Sequence, residues 1–175
     1  AIDLFGEARA LLRRFPDDPD AQQQLLAAVG ALGTAATERG QLEDAEAAQR
    51  ERLALAEARV KADPAALDRR FDLAAAHGAV ATAVEARGAH AAARVDQQRA
   101  VDLLEGLAAF DPDNHGWRYR LAVELGRLGF IDYNTDQIAP ARATFVRALA
   151  LLTELNQNSP DNVAWRVALA GAHYK

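Results

Sequence analysis

The chain has 175 residues and a formal net charge of −5; half of its residues are hydrophobic and 26% are charged. This balance excludes a disordered chain, and the negative charge argues against nucleic acid as a main partner, because phosphate binding needs a basic surface. The absence of cysteine excludes a disulfide framework or a thiolate site. No apolar run approaches the roughly 20 residues of a membrane span, so membrane insertion is not expected.

Alanine dominates the composition, with 42 residues, while β-branched and aromatic residues are sparse. Alanine is the best helix former and allows helices to pack closely. The composition therefore predicts an all-α fold.

Four residue types recur in one register with a period of 48 residues. They are the prolines Pro16, Pro64, Pro112 and Pro160, the leucines Leu25, Leu73, Leu121 and Leu169, the glycines Gly30, Gly78 and Gly126, and the alanines Ala45, Ala93 and Ala141. A fixed period of this size predicts a stack of supersecondary units instead of a globule with one central site. Such a stack offers a long surface and no ready-made pocket for chemistry.

Each unit is predicted to be an antiparallel pair of helices. In chain order, residues 1–15 match the second helix of a preceding repeat, 16–63 form repeat 1, 64–111 repeat 2, 112–159 repeat 3, and 160–175 the start of repeat 4. No methionine opens the chain and its last residues stop inside a helical pattern, so we expect a piece of a longer protein. Its compartment is undetermined, with the cytoplasm favoured.

The turns within the hairpins carry residues suited to left-handed backbone. Gly40 and Gly88 are predicted to end the first helices of repeats 1 and 2, and Asn134-Thr135-Asp136 does so in repeat 3. In repeat 2, Asp63 is predicted to cap the first helix, with Pro64 in its first turn. Pro140 falls in the first turn of a second helix.

Small and large residues around these turns resemble the tetratricopeptide repeat (TPR) family. They are Leu32-Gly33, Gly40 and Ala45 in repeat 1, Val80-Ala81, Gly88, Ala93 and Ala100 in repeat 2, and Leu128-Gly129, Ala141, Phe145 and Ala148 in repeat 3. The segments 111–118 and 159–166 resemble a bacterial variant with extended 48-residue repeats and a DP-x-N-x-x-W-x-R-x-L opening, where the usual repeat has about 34 residues. The resemblance implies a right-handed α-solenoid, similar to protein-interaction segments appended to larger signalling or regulatory proteins.

No motif in the chain predicts a catalytic, cofactor or metal site. The four histidines are interpreted as packed or half-exposed helix residues, and no metal-ligand or phosphate-loop spacing is present. The carboxylates are interpreted as helix caps or as members of solvated faces. The predicted caps are Asp17, Asp18, Asp63, Asp111 and Asp161, which lie where the positive end of a helix favours negative charge.

Recurring glycines and two tryptophans are interpreted as packing residues. Gly30, Gly78 and Gly126 predict close approach of a neighbouring helix; the alternative is that they widen a groove for a ligand. Trp117 and Trp165 are each predicted to pack against the second helix of the preceding unit, with ligand stacking as the alternative.

The family resemblance implies that partners lie on the concave face, which the first helices line. Transferring that face by register selects candidate partner-binding residues of the types that dominate interface energies. They are Phe71, Tyr119, Arg120, Val123, Arg127, Phe130 and Tyr133. The alternative is that these rings pack between units.

The predicted function is therefore a non-catalytic scaffold that binds a protein or peptide on its concave face. One alternative is self-assembly, with homo-oligomers forming through the ends of the array. Another is a regulatory or spacer arm of a larger multidomain signalling protein. An enzyme or small-ligand binder is the third alternative, and it would need a dry pocket with converging polar groups.

Overall fold

The computed structural model describes residues 2–15 and 18–173, and these ranges form helices without any strand. The helices are α1 (Ile2–Leu12), α2 (Pro19–Glu38), α3 (Leu42–Ala62), α4 (Leu67–Ala86), α5 (His90–Phe110), α6 (His115–Asn134), α7 (Ile138–Asn158) and α8 (Val163–His173). The predicted all-α fold is confirmed.

The turns between paired helices form where the sequence places residues that tolerate left-handed backbone. Gly40 and Gly88 have φ angles of 73° and 79°, and Asp136 has a φ of 59°. Glycine adopts this region without steric cost, and aspartate is among the few other residues that enter it readily. The predicted hairpin turns are confirmed, and Asp136 is the left-handed residue of the third.

The helix starts differ from the prediction at the Asp-Pro steps. Helix α4 begins at Leu67, three residues after Pro64, and Asp63 Oδ1 accepts a hydrogen bond from the Ala65 backbone N at 3.2 Å. Asp63 therefore shapes a turn before the helix instead of capping it. In α6 the cap is Asn114, whose Oδ1 accepts from the Trp117 N at 3.1 Å.

The same arrangement recurs at α8, while α2 follows the prediction. Asn162 Oδ1 accepts a hydrogen bond from the Trp165 N at 3.2 Å. Asp18 caps α2 and accepts from the backbone N of Asp20 and of Ala21. Asp17 and Pro16, which also belong to the predicted start of repeat 1, lie outside the described residues.

The chain divides into two compact units, Ala1–Ala89 and His90–Lys175. In the first unit, α2 packs against α1, α3 and α4, and α3 also packs against α4. In the second unit, α6 packs against α5, α7 and α8, and α7 also packs against α8. Each unit therefore repeats one packing pattern, in which consecutive helices pair and the two first helices approach each other. The division falls at the turn inside predicted repeat 2, and the repeat boundaries stay a prediction.

Two clusters in the first unit show how the helices bury their apolar stripes. Leu25, Val29 and Leu32 of α2 pack with Ala48 of α3, and Phe5 of α1 covers the cluster. A second cluster joins α2, α3 and α4 through Leu26, Ala56 and Ala76. The core of this unit is therefore a row of small clusters between neighbouring helices, as expected for stacked units.

Paired helices approach each other closely at Gly33 and Gly129, two glycines near the turns. A methyl group added to Gly33 would lie 2.3 Å from Gln49 Nε2, and one added to Gly129 would lie 2.8 Å from Phe145 Cε1. These positions belong to the TPR-like pattern of the sequence. The glycines predicted to allow close approach differ from one another. A methyl group added to Gly30 would lie 3.1 Å from Arg52 Cδ, whereas nothing lies within 4 Å of one added to Gly126. The packing interpretation is therefore wrong at Gly126.

Candidate interaction surface on helix α6

Helix α6 buries one side and leaves the other accessible along its whole length. Its buried side consists of Leu121, Ala122, Glu124, Leu125, Leu128, Gly129, Ile131 and Asp132. The accessible side follows a three- and four-residue spacing, which places side chains above one another on a helix. It contains six of the predicted partner-binding residues: Tyr119, Arg120, Val123, Arg127, Phe130 and Tyr133.

The seventh predicted residue, Phe71, is half-buried on α4 and belongs to the other compact unit. Within the second unit, the structure places the six predicted α6 residues on one side of that helix. Whether this side of α6 binds a partner stays a prediction.

The Tyr119 ring packs against another ring within the second unit. Its ring lies 6.4 Å from the Trp165 ring of α8, measured between centroids and tilted by 32°. The Trp165 ring also meets His115 edge-on at 5.7 Å. These aromatic contacts join Trp165 to α6, the first helix of the preceding repeat. The sequence analysis predicted packing against the second helix of that repeat, which is α7. The alternative interpretation, that rings pack between repeats, therefore applies to Tyr119. The position of Trp117 against a second helix stays a prediction.

Arg120 forms an ion pair with a carboxylate that is fully buried. Its Nη2 lies 2.7 Å from Glu124 Oε1, and Glu124 has no exposed surface. Gln97, on α5, donates from its Nε2 to Glu124 Oε2 at 2.7 Å and to the Glu124 carbonyl O at 2.9 Å. Arg120 and Gln97 thus neutralise and solvate a charge that would otherwise be costly to bury.

A second carboxylate on α6, Asp132, is also buried. Arg94 of α5 donates from its Nε to Asp132 Oδ1 at 2.5 Å. The expectation that carboxylates serve as caps or lie on solvated faces is therefore wrong for Asp132 and for Glu124. Their burial could have been predicted from their spacing to Leu121, Leu125 and Leu128, since all five residues lie on the same half of the helix.

The outer part of the accessible side consists of Val123, Arg127, Phe130 and Tyr133. Phe130 exposes 43% of its surface and Tyr133 exposes 58%, Arg127 is exposed and Val123 is half-buried. Gly126 lies among them and leaves open space where a side chain would stand. The accessible aromatic, aliphatic and basic groups on this face thus extend over about three turns of helix.

The described residues hold no arrangement suited to metal binding. No group of three or more His, Cys, Asp or Glu side chains among them could hold an ion. His77 is buried in α4, as predicted for a packed helix histidine, and the side chain of His173 lies outside the described residues. Among the described helices, none combines the length and the apolar character needed to cross a membrane.

Among the cavities of the first unit are two that lie beside α1 and α3. One, of about 790 Å³, is a groove lined by residues of α1 and α3 together with Leu32 and Ala36 of α2. The other, of about 330 Å³, is lined by apolar residues that include Phe15, Leu25 and Leu55. Arg9 and Arg13 of α1 cross the groove to Glu51 of α3. In the second unit the equivalent helices, α5 and α7, are joined with the charges reversed, by Glu105 and Arg147.

Comparisons with known proteins identify the fold. No family model matches the chain, and no curated protein matches it. Among solved structures, it is similar to the crystal structure of BtubC (BKLC) from P. vanneervenii, with a TM-score of 0.63 and 17% sequence identity over 98% of this chain. The match covers 61% of the BtubC chain, so this chain spans about three fifths of that length.

The chain is also similar to TTC0263, a thermophilic TPR protein in Thermus thermophilus. The TM-score is 0.45 and the identity 18%, over 99% of this chain and 89% of that one. At such low identity, the likeness to BtubC concerns the fold alone. It shows that the chain adopts an all-α helical-repeat fold.

Proposed function

We propose that the chain is a non-catalytic scaffold of the TPR type that binds a protein or peptide segment along the accessible side of α6. The observation that carries this proposal is the exposure of Phe130 and Tyr133 on one side of that helix, in line with Val123 and Arg127. Exposed aromatic rings beside arginine are the composition of interface hot spots.

The chemistry of this surface defines the segment it would bind. From Val123 to Tyr133 the helix rises about 15 Å, which matches roughly five residues of extended peptide. Apolar side chains of the segment would cover the two rings, and its carboxylate or carbonyl oxygens would accept hydrogen bonds from the Arg127 guanidinium.

A selection from a random peptide display library, with the immobilised chain as target, tests the proposal. Peptides that bind the wild-type chain are then titrated calorimetrically against the double variant F130A/Y133A. We expect binding to weaken by about tenfold or more, because each ring supplies contact area at an accessible site. The matched control is V146A, since Val146 on α7 is also 58% exposed and lies off the α6 surface.

The stability of the double variant separates a contact surface from a core. Because both residues are exposed, at 43% and 58%, circular dichroism should show unchanged helicity and only a small drop in melting temperature. A large drop in melting temperature with unchanged peptide binding would instead show that the rings pack within the fold. Equal weakening by V146A would also contradict the proposal.

A further inference from the structure

The accessible side of α6 has one position without a side chain. Tyr119, Val123, Gly126, Phe130 and Tyr133 follow one another at spacings of four and three residues, so they form one stripe along the helix. Four of these residues carry an aromatic ring or an isopropyl group, and the central one is glycine. The stripe therefore has a gap at Gly126, bordered by Val123 on one side and by Phe130 on the other.

Packing within the described chain does not account for a glycine at this position. Apart from its chain neighbours and its own helix backbone, no atom of the described residues lies within 4 Å of a methyl group added to Gly126. Gly30, at the same position of the repeat, differs, because a methyl group there would lie 3.1 Å from Arg52 Cδ. Since glycine inside a helix is less stable than alanine, close approach of a bound partner is the remaining physical reason for the gap.

The gap is large enough for one bulky side chain. Val123 and Phe130 are seven residues apart, so their Cα atoms are separated by about 10 Å along the helix axis. Gly126 itself is half-buried, and its backbone forms the floor of the gap. An aromatic ring or a leucine side chain placed there would contact Val123 and Phe130 at the same time.

The charges on α6 indicate the sign of the partner. The helix has two carboxylates, Glu124 and Asp132, and both are buried. Its three arginines are Arg118 and Arg120, which are half-buried, and Arg127, which is exposed. Every charged side chain that α6 presents to solvent is therefore basic, although the whole chain has a net charge of −5. A basic surface on an acidic chain favours an acidic partner and repels further copies of the chain.

We propose that Gly126 receives one bulky apolar side chain of an acidic protein segment, and that carboxylates beside this side chain accept hydrogen bonds from Arg127. The bulky group is an aromatic ring or a leucine side chain, because it fills the gap between Val123 and Phe130. This anchor rests on the proposed function of α6. It adds the position at which the segment is held and the sign of the charge that the segment carries.

Calorimetric titration of peptides selected on the wild-type chain tests the gap directly. G126A and G126L fill it in two steps, and both should weaken binding, G126L by at least about tenfold, because the variant side chain takes the place of the peptide's. Since alanine and leucine favour helix more than glycine does, the melting temperature should be unchanged or higher. G106L is the matched control, because Gly106 of α5 also has nothing within 4 Å of an added methyl group. This control should bind peptides as tightly as the wild-type chain.

Changes in the peptide identify the groups that meet the surface. Replacing the largest apolar residue of a selected peptide with alanine should weaken binding to the wild-type chain by about tenfold or more, and binding to G126L far less, because leucine already fills the gap. Replacing its aspartates and glutamates with asparagine and glutamine should weaken binding by about threefold or more at low salt, since the carboxylates face arginines.

Several results would overturn the anchor at Gly126. G126L could bind as tightly as the wild-type chain, or G126L and G106L could weaken binding equally, while F130A/Y133A still weakens it; the proposed function would then stand without the anchor. A lower melting temperature of G126A would assign the glycine to packing within the fold, and selected peptides without net negative charge would refute the acidic partner. If F130A/Y133A leaves binding unchanged, the proposed function fails and the anchor fails with it.

Discussion

Replacing Gln97 with alanine should destabilise the second unit far more than the same change at its neighbour Gln98. Gln97 is buried and donates to both the side chain and the backbone of Glu124 on the next helix. Gln98 is half-buried, and its Nε2 donates to Asp102 of the same helix at 2.8 Å. One amide thus joins α5 to α6, while the other joins two turns of α5.

The magnitude follows from what Q97A removes. A hydrogen bond to a buried carboxylate contributes about 1.5 to 3 kcal/mol, and the lost buried side-chain carbons add about 1.5 kcal/mol. We therefore expect the free energy of unfolding to fall by about 3 to 4.5 kcal/mol, against about 0.5 kcal/mol or less for Q98A. In a chain of this size, the difference of about 2.5 to 4 kcal/mol between the two variants corresponds to a melting temperature of Q97A that is lower by roughly 5–16 °C.

Urea unfolding followed by circular dichroism at 222 nm measures both variants. The double variant Q97A/E124A provides the coupling energy between the two residues, and it should cost clearly less than the two single variants together, because removing one partner leaves the other buried without its contact. If Q97A and Q98A lowered the free energy of unfolding equally, or if the cycle showed no coupling, the argument that Gln97 stabilises the buried charge of Glu124 would be refuted.

Two further predictions concern glycines and pH. G126A should stabilise the chain by up to about 1 kcal/mol, because open space surrounds the added methyl group and alanine favours helix. G129A should destabilise the chain, since its methyl group would meet the Phe145 ring at 2.8 Å. Thermal unfolding compares the two variants, and an equal effect on the melting temperature would contradict the prediction. Arg50 holds the pKa of the Glu46 carboxyl below its ordinary value by a hydrogen bond. The stability that Glu46 contributes is therefore fully present above the pKa of an unfolded glutamate, about 4.3, and is lost as pH falls through the lower pKa of the folded state. E46Q should therefore flatten the curve of stability against pH in that acid range, and an unchanged curve at low salt would count against the pairing.

Local rules account for the parts of the fold that the sequence predicted well. The left-handed turns at Gly40, Gly88 and Asp136 depend on one residue each, and helical periodicity depends on neighbours within a few turns. The helix starts were predicted less well, because Asp111 and Asn114, which both precede α6, each accept a hydrogen bond from a nearby backbone N–H group. Only the geometry of the Asp-Pro turn shows which of the two positions begins the helix.

The candidate surface was predicted only in part, because register shows which residues share a helix face but not which of them contact another helix. Register placed Val123, Phe130 and Tyr133 on one side of α6, because a shared face follows from spacing alone. Register could not show that Tyr119 packs against Trp165, since that contact depends on how closely α8 approaches α6.

By itself, the sequence determined that this chain is all-α and where its paired helices turn, because both are set by residues close together in the chain. Only the tertiary structure decided which polar side chains become buried and which glycines touch a neighbour. Glu124 is buried because Gln97 and Arg120 reach it from two directions, and Gly126 stands in open space while Gly129 meets a ring. The physical reason is that burial depends on the distance between helices, and that distance is fixed by the packing of side chains far apart in the sequence.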